Sequence, residues 1–377
     1  MSMWQTRVEG LPTELSVIYR SEAGGWQYNH HQGIVWFEGR FFASWSSAQV
    51  YEDTSNQLVR FATSTDGRTW SPDAILAPDH DGPDGPGFQS ASGFWQRDGI
   101  LYGLAGYSVG LYTREEDIDR GHKHVLWEAY RWTGRDWEPA GTLQKDFWPN
   151  YGDGVGRLRS GRYLVAGHDL KMNPVVLVGG QGGLDDWHRV ALNLPADGRL
   201  LIEPSWWEAD DGIIHMLIRS HSYQLYYATS SDGGHSWTTP VPSGIPDAIA
   251  KVAVGKLSDG RVYLAGNSRP PQPAPGWPEQ NVGGAGPGLG GHPGFLPRDP
   301  LTLSIAEDGR HFSRTWTLRT GLIPYRYPSS VRNNGFGYGL GYQYPSAIEH
   351  DGRLYIIHCV NKEDIAVVSV ALGDVRG

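Results

Sequence analysis

Apolar and polar positions alternate along almost the whole chain in runs of five to eight residues, cut by polar-glycine turns. That period of two predicts half-buried strands joined as hairpins. One kind of hairpin is an apolar strand, a short turn and a second apolar strand. It recurs as IVWFEGRFFASW (34–45), GFWQRDGILYGLAGY (93–107), VGRLRSGRYLVAG (155–167), PSWWEADDGIIHMLIR (204–219), KVAVGKLSDGRVYLAG (251–266) and PSAIEHDGRLYIIHCV (345–360). A second, more polar kind lies near 58–75, 125–142, 174–192, 224–241, 300–318 and 362–372, the last reduced to a single strand. Two hairpins make one four-stranded antiparallel sheet. Six such pairs predict an all-β chain folded as a β-propeller, whose blades bury their faces against one another. The last pair lacks a strand, and LSVIYR (Leu15–Arg20) has no hairpin partner nearby. It is expected to close the ring between the termini. Six blades are preferred; a seventh requires one hidden in Arg319–Gly341 or in the N-terminal arm.

The polar hairpins carry a repeated turn, Ser-x-Asp-x-Gly-x-x-Trp. Ser230, Asp232, Gly234 and Trp237 hold its positions; Ser64, Asp66, Gly67 and Trp70 repeat it one residue shorter. Ala306, Asp308, Gly309 and Phe312 form a degenerate copy. Asp bonds nearby backbone N–H groups and Gly accepts positive φ, which makes the turn, while the aromatic is expected to be buried against a sheet. Return along one chain marks a repeated supersecondary unit.

Composition agrees. Of 377 residues, 51 are Gly and 16 Trp, while only 19% are charged, as many short strands, sharp turns and aromatic wedges require. The chain reads as one domain, 1–377, with loop insertions at 270–298 and 319–343 expected to lie over one mouth of the ring. The net charge is −9 with no Arg/Lys run, which argues against a nucleic-acid partner. No apolar run approaches a membrane span. MSMWQTRVEG reads as neither a signal nor a transit peptide, so the chain as given is expected to be cytoplasmic, or secreted if a signal has been removed. Cys359 is the single cysteine, read as inert core.

The hairpin pattern sorts residues onto two ends of the ring. Turns within hairpins (EGR, RDG, SGR, DDG, SDG, HDGR) fall at one end and are ordinary turn chemistry. The links between hairpins fall at the other. There stand Asn29, His30 and His31; Trp45; His168 and Asp169; Glu203; Arg219 and His221; Pro246-Asp247 running to Lys251; Asn267; Arg298 and Asp299; Tyr344; Asn361 and Lys362. Polar groups converging in a concave mouth are a binding site by default. No cofactor is expected. No metal is expected either: neither His30-His31 nor His168 has a ligand spacing that stands alone, and H-E-x-x-H and C-x-x-C are absent.

With its Asp-box turns the chain resembles the sialidase-like (Asp-box, BNR-repeat) β-propeller superfamily over nearly its whole length. IEPSWWEADDGIIHMLIRSHSYQLYYATSSDGGHSW is similar to the segment that holds the glutamate activating a tyrosine nucleophile and one of three carboxylate-gripping arginines. The resemblance puts these on Glu203 and Arg219, and the nucleophile on Tyr344 in QYPSAIEHDG. The first blade departs. YNHHQG, with His30 and His31, stands where that family opens with an Arg-Ile-Pro type motif. Arg298 and Arg326 are the candidates to complete the arginine set. A His-bearing first blade is more similar to propeller enzymes acting on uronic-acid glycans, among them ulvan lyases, rhamnosyl-glucuronate lyases and α-L-rhamnosidases.

The resemblance implies a carbohydrate-active enzyme that cleaves a glycosidic bond in an acidic, uronic-acid-containing oligosaccharide or polysaccharide. β-Elimination is preferred. It needs a cation to neutralise the carboxylate, a base for the C5 proton and an acid for the leaving oxygen; Arg219 is suited to the first and His31 and Tyr344 to the others. Hydrolysis, α-L-rhamnosidase-like or exo-sialidase-like, is the alternative, using Glu203 with Tyr344 or with Asp153, Asp169 or Asp299 as second acid. A carbohydrate-binding propeller without catalysis is the third reading. Substrate contacts are expected from Arg219, Lys251, Asn29, Trp45, His168, His221, Asn267, Arg298, Asp299, Asn361 and Lys362.

Overall fold

The computed structural model describes residues 3–4, 8–50, 52–82, 85–109, 124–196, 198–268, 297–327 and 340–375. Its strands form six antiparallel blades around one axis, and the described residues contain no helix. From the axis outward the first blade is Tyr28–Phe37, Arg40–Ala48, Leu58–Ser64 and Ala74–Ala77. The second is Phe88–Arg97, Ile100–Val109, His124–Trp132 and Trp137–Lys145. The fourth is Leu201–Glu208, Ile214–Ser220, Gln224–Ser230 and Val241–Pro246; the fifth is Ala253–Lys256, Val262–Gly266, Leu301–Ala306 and Arg314–Arg319. The sixth is Tyr342–His350, Arg353–Val360 and Asp364–Ala371, completed at its outer edge by Glu14–Tyr19, paired antiparallel to Asp364–Ala371. The expected closure therefore holds, and the count is six.

No seventh blade hides in the N-terminal arm or at Arg319. Val8–Gly10 adds a parallel fifth strand to the outer edge of the fifth blade, pairing with Thr315–Thr317. Arg319 ends that blade's outer strand, and Tyr342 and Gln343 begin the sixth blade's inner one, so the second insertion is shorter than 319–343. The expected loops over the mouth fall largely at 269–296 and 328–339, outside the described residues.

The third blade is irregular at the axis. Its inner strand is broken into Trp148–Pro149 and Gly156–Arg157, both paired to Tyr163–His168, with Pro174–Gly179 and Trp187–Ala191 outside. Between the two pieces the chain leaves its own sheet for its neighbours. Gly154 N–H and Val155 N–H donate to Ser92 O and Phe94 O of the second blade. Gly152 has φ 71°, and a Cβ there would lie 2.0 Å from Gln32 O. Only glycine fits so close an approach.

Blades adhere through aromatic and aliphatic faces. Trp237 packs with Leu164, Val178, Ile214 and Met216 between the third and fourth blades. Phe312 packs with Trp207 and Leu264 between the fourth and fifth. The turns work as the composition suggests: Asp232 Oδ1 accepts from Ser236 N–H at 2.9 Å and from the Ser230 hydroxyl at 2.8 Å, while Gly234 N–H donates to Ser230 Oγ at 2.9 Å.

Candidate active site

Four inner strands break register, between His30 and Gly33, Ala91 and Phe94, Ile202 and Pro204, and Gln343 and Ser346. At the second blade's break the left-handed residue is Gly93; at the other three it is not a glycine: His31 at φ 61°, Glu203 at 55° and Tyr344 at 52°. L-residues enter this region at a cost, and such bulges re-aim a side chain. Residues of the first, fourth and sixth blades thereby meet at the axis.

Tyr344 Oη donates to Glu203 Oε1 at 2.5 Å. Arg219 Nη1 donates to Tyr344 Oη at 2.8 Å and to Glu203 Oε2 at 2.6 Å. All three are buried. Burial pushes the Glu203 carboxyl up, but Arg219, the Tyr344 hydrogen bond and Arg298 outweigh it and hold it below the usual carboxylate range. Burial drives the Tyr344 phenol well above its ordinary value; Arg219 and Arg298 oppose the rise and Glu203 adds to it. The resting pair is thus a carboxylate beside a neutral phenol. Arg298 stands 5.1 Å over the Tyr344 ring, and its guanidinium is tied to Gln343 Oε1.

Asp247, in the link from the fourth to the fifth blade, is buried and accepts from Ala250 N–H at 3.0 Å through Oδ2. Burial raises its carboxyl to about 7 against the pull of Ala250, Arg219 and Arg298. Below that pH it keeps its proton while Glu203, whose charge adds to the rise, is ionised.

A second cluster adjoins the first. The His30 and His31 rings lie 4.5 Å apart, and the His30 ring is 4.2 Å from that of Tyr344. His31 stacks on Tyr151 of the third blade at 3.8 Å, with its Nδ1 3.0 Å from Ser46 Oγ and its Nε2 3.3 Å from Glu52 Oε1. His30 Nδ1 is 2.9 Å from Cys359 Sγ. Glu52 also accepts from Tyr28 Oη at 3.0 Å and from Lys362 Nζ at 2.6 Å. Burial lowers both imidazoles, His30 strongly, so both are neutral. Ligand atoms of His30, His31 and Glu52 lie within 4.8 Å of one another, the one grouping among the described residues with metal-ligand proximity.

The other expected site residues divide. Lys362 joins the second cluster through Glu52. Trp45 is no sugar platform: it is fully buried between blades and donates Nε1 to Asn29 Oδ1. Asn29 is spent tying strands, donating to Trp26 O and Glu363 O. Asn267 likewise donates to Pro300 O and Tyr342 O, and Asn361 to Ile323 O. Lys251 is buried against Asp153 at 2.5 Å and Pro345 O at 2.9 Å, so neither supplies the Glu203 cluster. Asp169 caps its own turn at Lys171 and Asn173, and Asp299 accepts from Gly321 N–H, so neither stands as the second acid. His168 stacks on Trp148, and His221 is buried. Arg326 is committed to Glu363 and Asp364. Sequence reasoning missed Glu52; it lies in a link like the others, and the link rule applied beyond Trp45-Ser46 would have reached it.

Two cavities of about 370 and 610 Å³ open at the opposite, turn end, lined by Arg157, Trp206 and Lys256 and by Gln96, Arg97 and Asp98 respectively. The lining of the first includes Ser205 and Ser346, but neither cavity is lined by Tyr344, Glu203 or Arg219.

A model of the BNR repeat-like domain matches residues 39–356. No curated protein matches the chain. Among solved structures it is similar to a protein of unknown function from Dyadobacter fermentans, at 17% identity over 94% of this chain and 97% of that one, with a TM-score of 0.66. It is also similar to the intramolecular trans-sialidase of Ruminococcus gnavus, at 13% identity over 96% and 99% of the two chains (TM-score 0.67). A leech intramolecular trans-sialidase matches at 12% identity over 98% of this chain and 71% of that one (TM-score 0.66). At such identities the likeness concerns the fold.

Proposed function

Because the chain belongs to the BNR repeat-like domain family, we propose that it cleaves a glycosidic bond next to a carboxylated sugar, with Tyr344 as nucleophile and Glu203 as its base. One observation carries this reading: the 2.5 Å hydrogen bond from Tyr344 Oη to Glu203 Oε1, with Arg219 Nη1 touching both. A phenol held well above its ordinary range is a poor nucleophile. It becomes one only when its proton leaves as the new bond forms. Glu203 takes that proton, and Arg219 stays beside the negative charge as it passes from Glu203 to the Tyr344 oxygen. The phenolate oxygen attacks the anomeric carbon, the bond to the leaving oxygen breaks, and Asp247 gives that oxygen its proton. Water, deprotonated by Asp247, then attacks the anomeric carbon, the bond to Tyr344 Oη breaks, and Glu203 returns its proton to the departing phenol oxygen. Arg298 is suited to grip the sugar carboxylate, since guanidinium binds carboxylate in a fork.

The neutral His30–His31 pair beside Tyr344 favours a second reading, β-elimination of a uronate. There Tyr344, its own proton passed to Glu203, removes the C5 proton, Arg298 neutralises the carboxylate, and Asp247 protonates the leaving oxygen as the C4–O bond breaks. Both His rings, however, have their Nδ1 committed, and His31 Nε2 faces Glu52. The direct proton-transfer contact of the site is at Tyr344.

The test is a screen on sialyl, rhamnosyl-glucuronate and ulvan-type substrates, read by reducing ends and by ultraviolet absorbance. New ends without absorbance are expected, with Tyr344→Phe and Glu203→Gln slowing turnover by ~10²–10⁴. A fluorinated substrate analogue should leave a sugar adduct on Tyr344, seen by mass spectrometry. Absorbance from an unsaturated uronate would establish elimination instead. Sugar binding without turnover of any substrate would replace both by a carbohydrate-binding role.

A further inference from the structure

We infer that His30, His31 and Glu52 form a binding site for a first-row divalent metal ion of the zinc type, set beside Tyr344 inside the ring. The inference does not depend on the reaction assigned above. Consecutive residues of a regular strand face opposite ways. Here the bulge and the left-handed His31 bring both rings to one face, 4.5 Å apart. Each ring is fixed from behind through Nδ1: His30 by Cys359 Sγ at 2.9 Å, His31 by Ser46 Oγ at 3.0 Å. Ser46 Oγ is itself held by Ala91 N–H at 2.8 Å. An imidazole anchored through one nitrogen and presenting the other is the arrangement that supporting groups impose on metal-bound histidine.

The decisive atom is His30 Nε2. It is buried and has no hydrogen-bond partner among the described residues. A buried polar atom left without a partner is costly, and structures retain one where something else fills the place. The ligand atoms of His30, His31 and Glu52 all lie within 4.8 Å of one another, close enough to share one ion. Lys362 Nζ holds Glu52 by Oε2, which leaves Oε1 on the histidine side. The Tyr28 hydroxyl on Oε1 would yield its place or bond the ligated oxygen from outside. Two imidazoles and one carboxylate suit Zn²⁺ and its first-row neighbours, and three protein ligands leave a position for water or for an anionic group of a substrate.

The experiment is a titration of metal-stripped, full-length protein with Zn²⁺ in competition with a chromophoric chelator, repeated with Co²⁺ to read the d–d absorption of a histidine-ligated ion. One equivalent is expected. Glu52→Gln and His30→Asn should each weaken it by ~100-fold or more and abolish the Co²⁺ spectrum, and Cys359→Ala should cost about tenfold while keeping the stoichiometry. Circular dichroism checks folding. If His30→Asn does not fold, the part-exposed Glu52→Gln decides. No stoichiometric uptake by the parent, or uptake unaltered by Glu52→Gln, overturns the site. Neither result bears on turnover by Tyr344, which is read by its own products.

Discussion

At the scale of single residues, Asp247 makes the sharpest prediction. Its carboxyl is raised from 3.8 to about 7 by burial, against the pull of Ala250, Arg219 and Arg298. Between those two values the native protein holds a proton that the unfolded chain has lost, so stability falls as pH rises through that window and levels off above it. Asp247→Asn keeps an acceptor for Ala250 N–H and never ionises. Urea unfolding should show the variant more stable than its parent at pH 8, by at most on the order of 4 kcal/mol, and no more stable at pH 4. The same group predicts the alkaline limb of activity. If Asp247 protonates the leaving oxygen, kcat falls above pH 7, and the limb vanishes in the Asn variant as overall rate drops. Glu203, Arg219 and Tyr344 were legible in the sequence because their place relative to the inner strands locates them on one end of the ring. Glu52 was not, because it approaches the histidines only through the return of the loop after the first blade's second strand.

At the scale of elements, the site depends on bulges that an alternating pattern does not reveal. YNHHQG and QYPSAI read as ordinary strand starts, yet each holds one residue too many for its partner strand. Hairpins, turns and the Asp-box wedges were legible because their signals are local; the third blade's broken inner strand was not, because its cause is contact with two other blades. That contact also steadies the Tyr344 backbone. Gln32 Nε2 donates to Gln343 O at 2.8 Å and to Tyr344 O at 2.5 Å, while Gln32 O abuts Gly152, where a Cβ would sit 2.0 Å away. Gly152→Ala, strained at φ 71° as well as crowded, should destabilise the fold by about 1–3 kcal/mol and displace Gln32. Kinetics should then show kcat falling more than KM rises, since the Tyr344 backbone is disturbed more directly than Arg298, the residue proposed to bind the sugar carboxylate. Trp237→Ala, in contrast, should cost about 3–5 kcal/mol in chemical unfolding with kcat intact, because the Asp boxes stand away from Tyr344.

At the scale of the whole molecule, the ring is held shut by its own beginning. Glu14–Tyr19 completes the sixth blade, Val8–Gly10 extends the fifth, Trp4 Nε1 reaches Thr315 Oγ1 at 3.0 Å, and Met3 N–H donates to Ser243 O at 3.2 Å beside the fourth. Deleting residues 1–19 should bare the edge of Asp364–Ala371 and lower the thermal midpoint by on the order of 10 °C, with a matching rise in dimer or aggregate by light scattering. This clasp also orders events in time. Leu15 pairs with Val368, so a strand that precedes the first blade waits for one that follows the fifth. Blades one to five can form while the chain is still being made, but the ring stays open until Asp364–Ala371 has followed, and its closing step is a contact between strands far apart in the sequence. The Tyr344–Glu203 bond joins the sixth blade to the fourth at the axis, so the activity proposed above should arise late in refolding, after most of the β-sheet signal has returned.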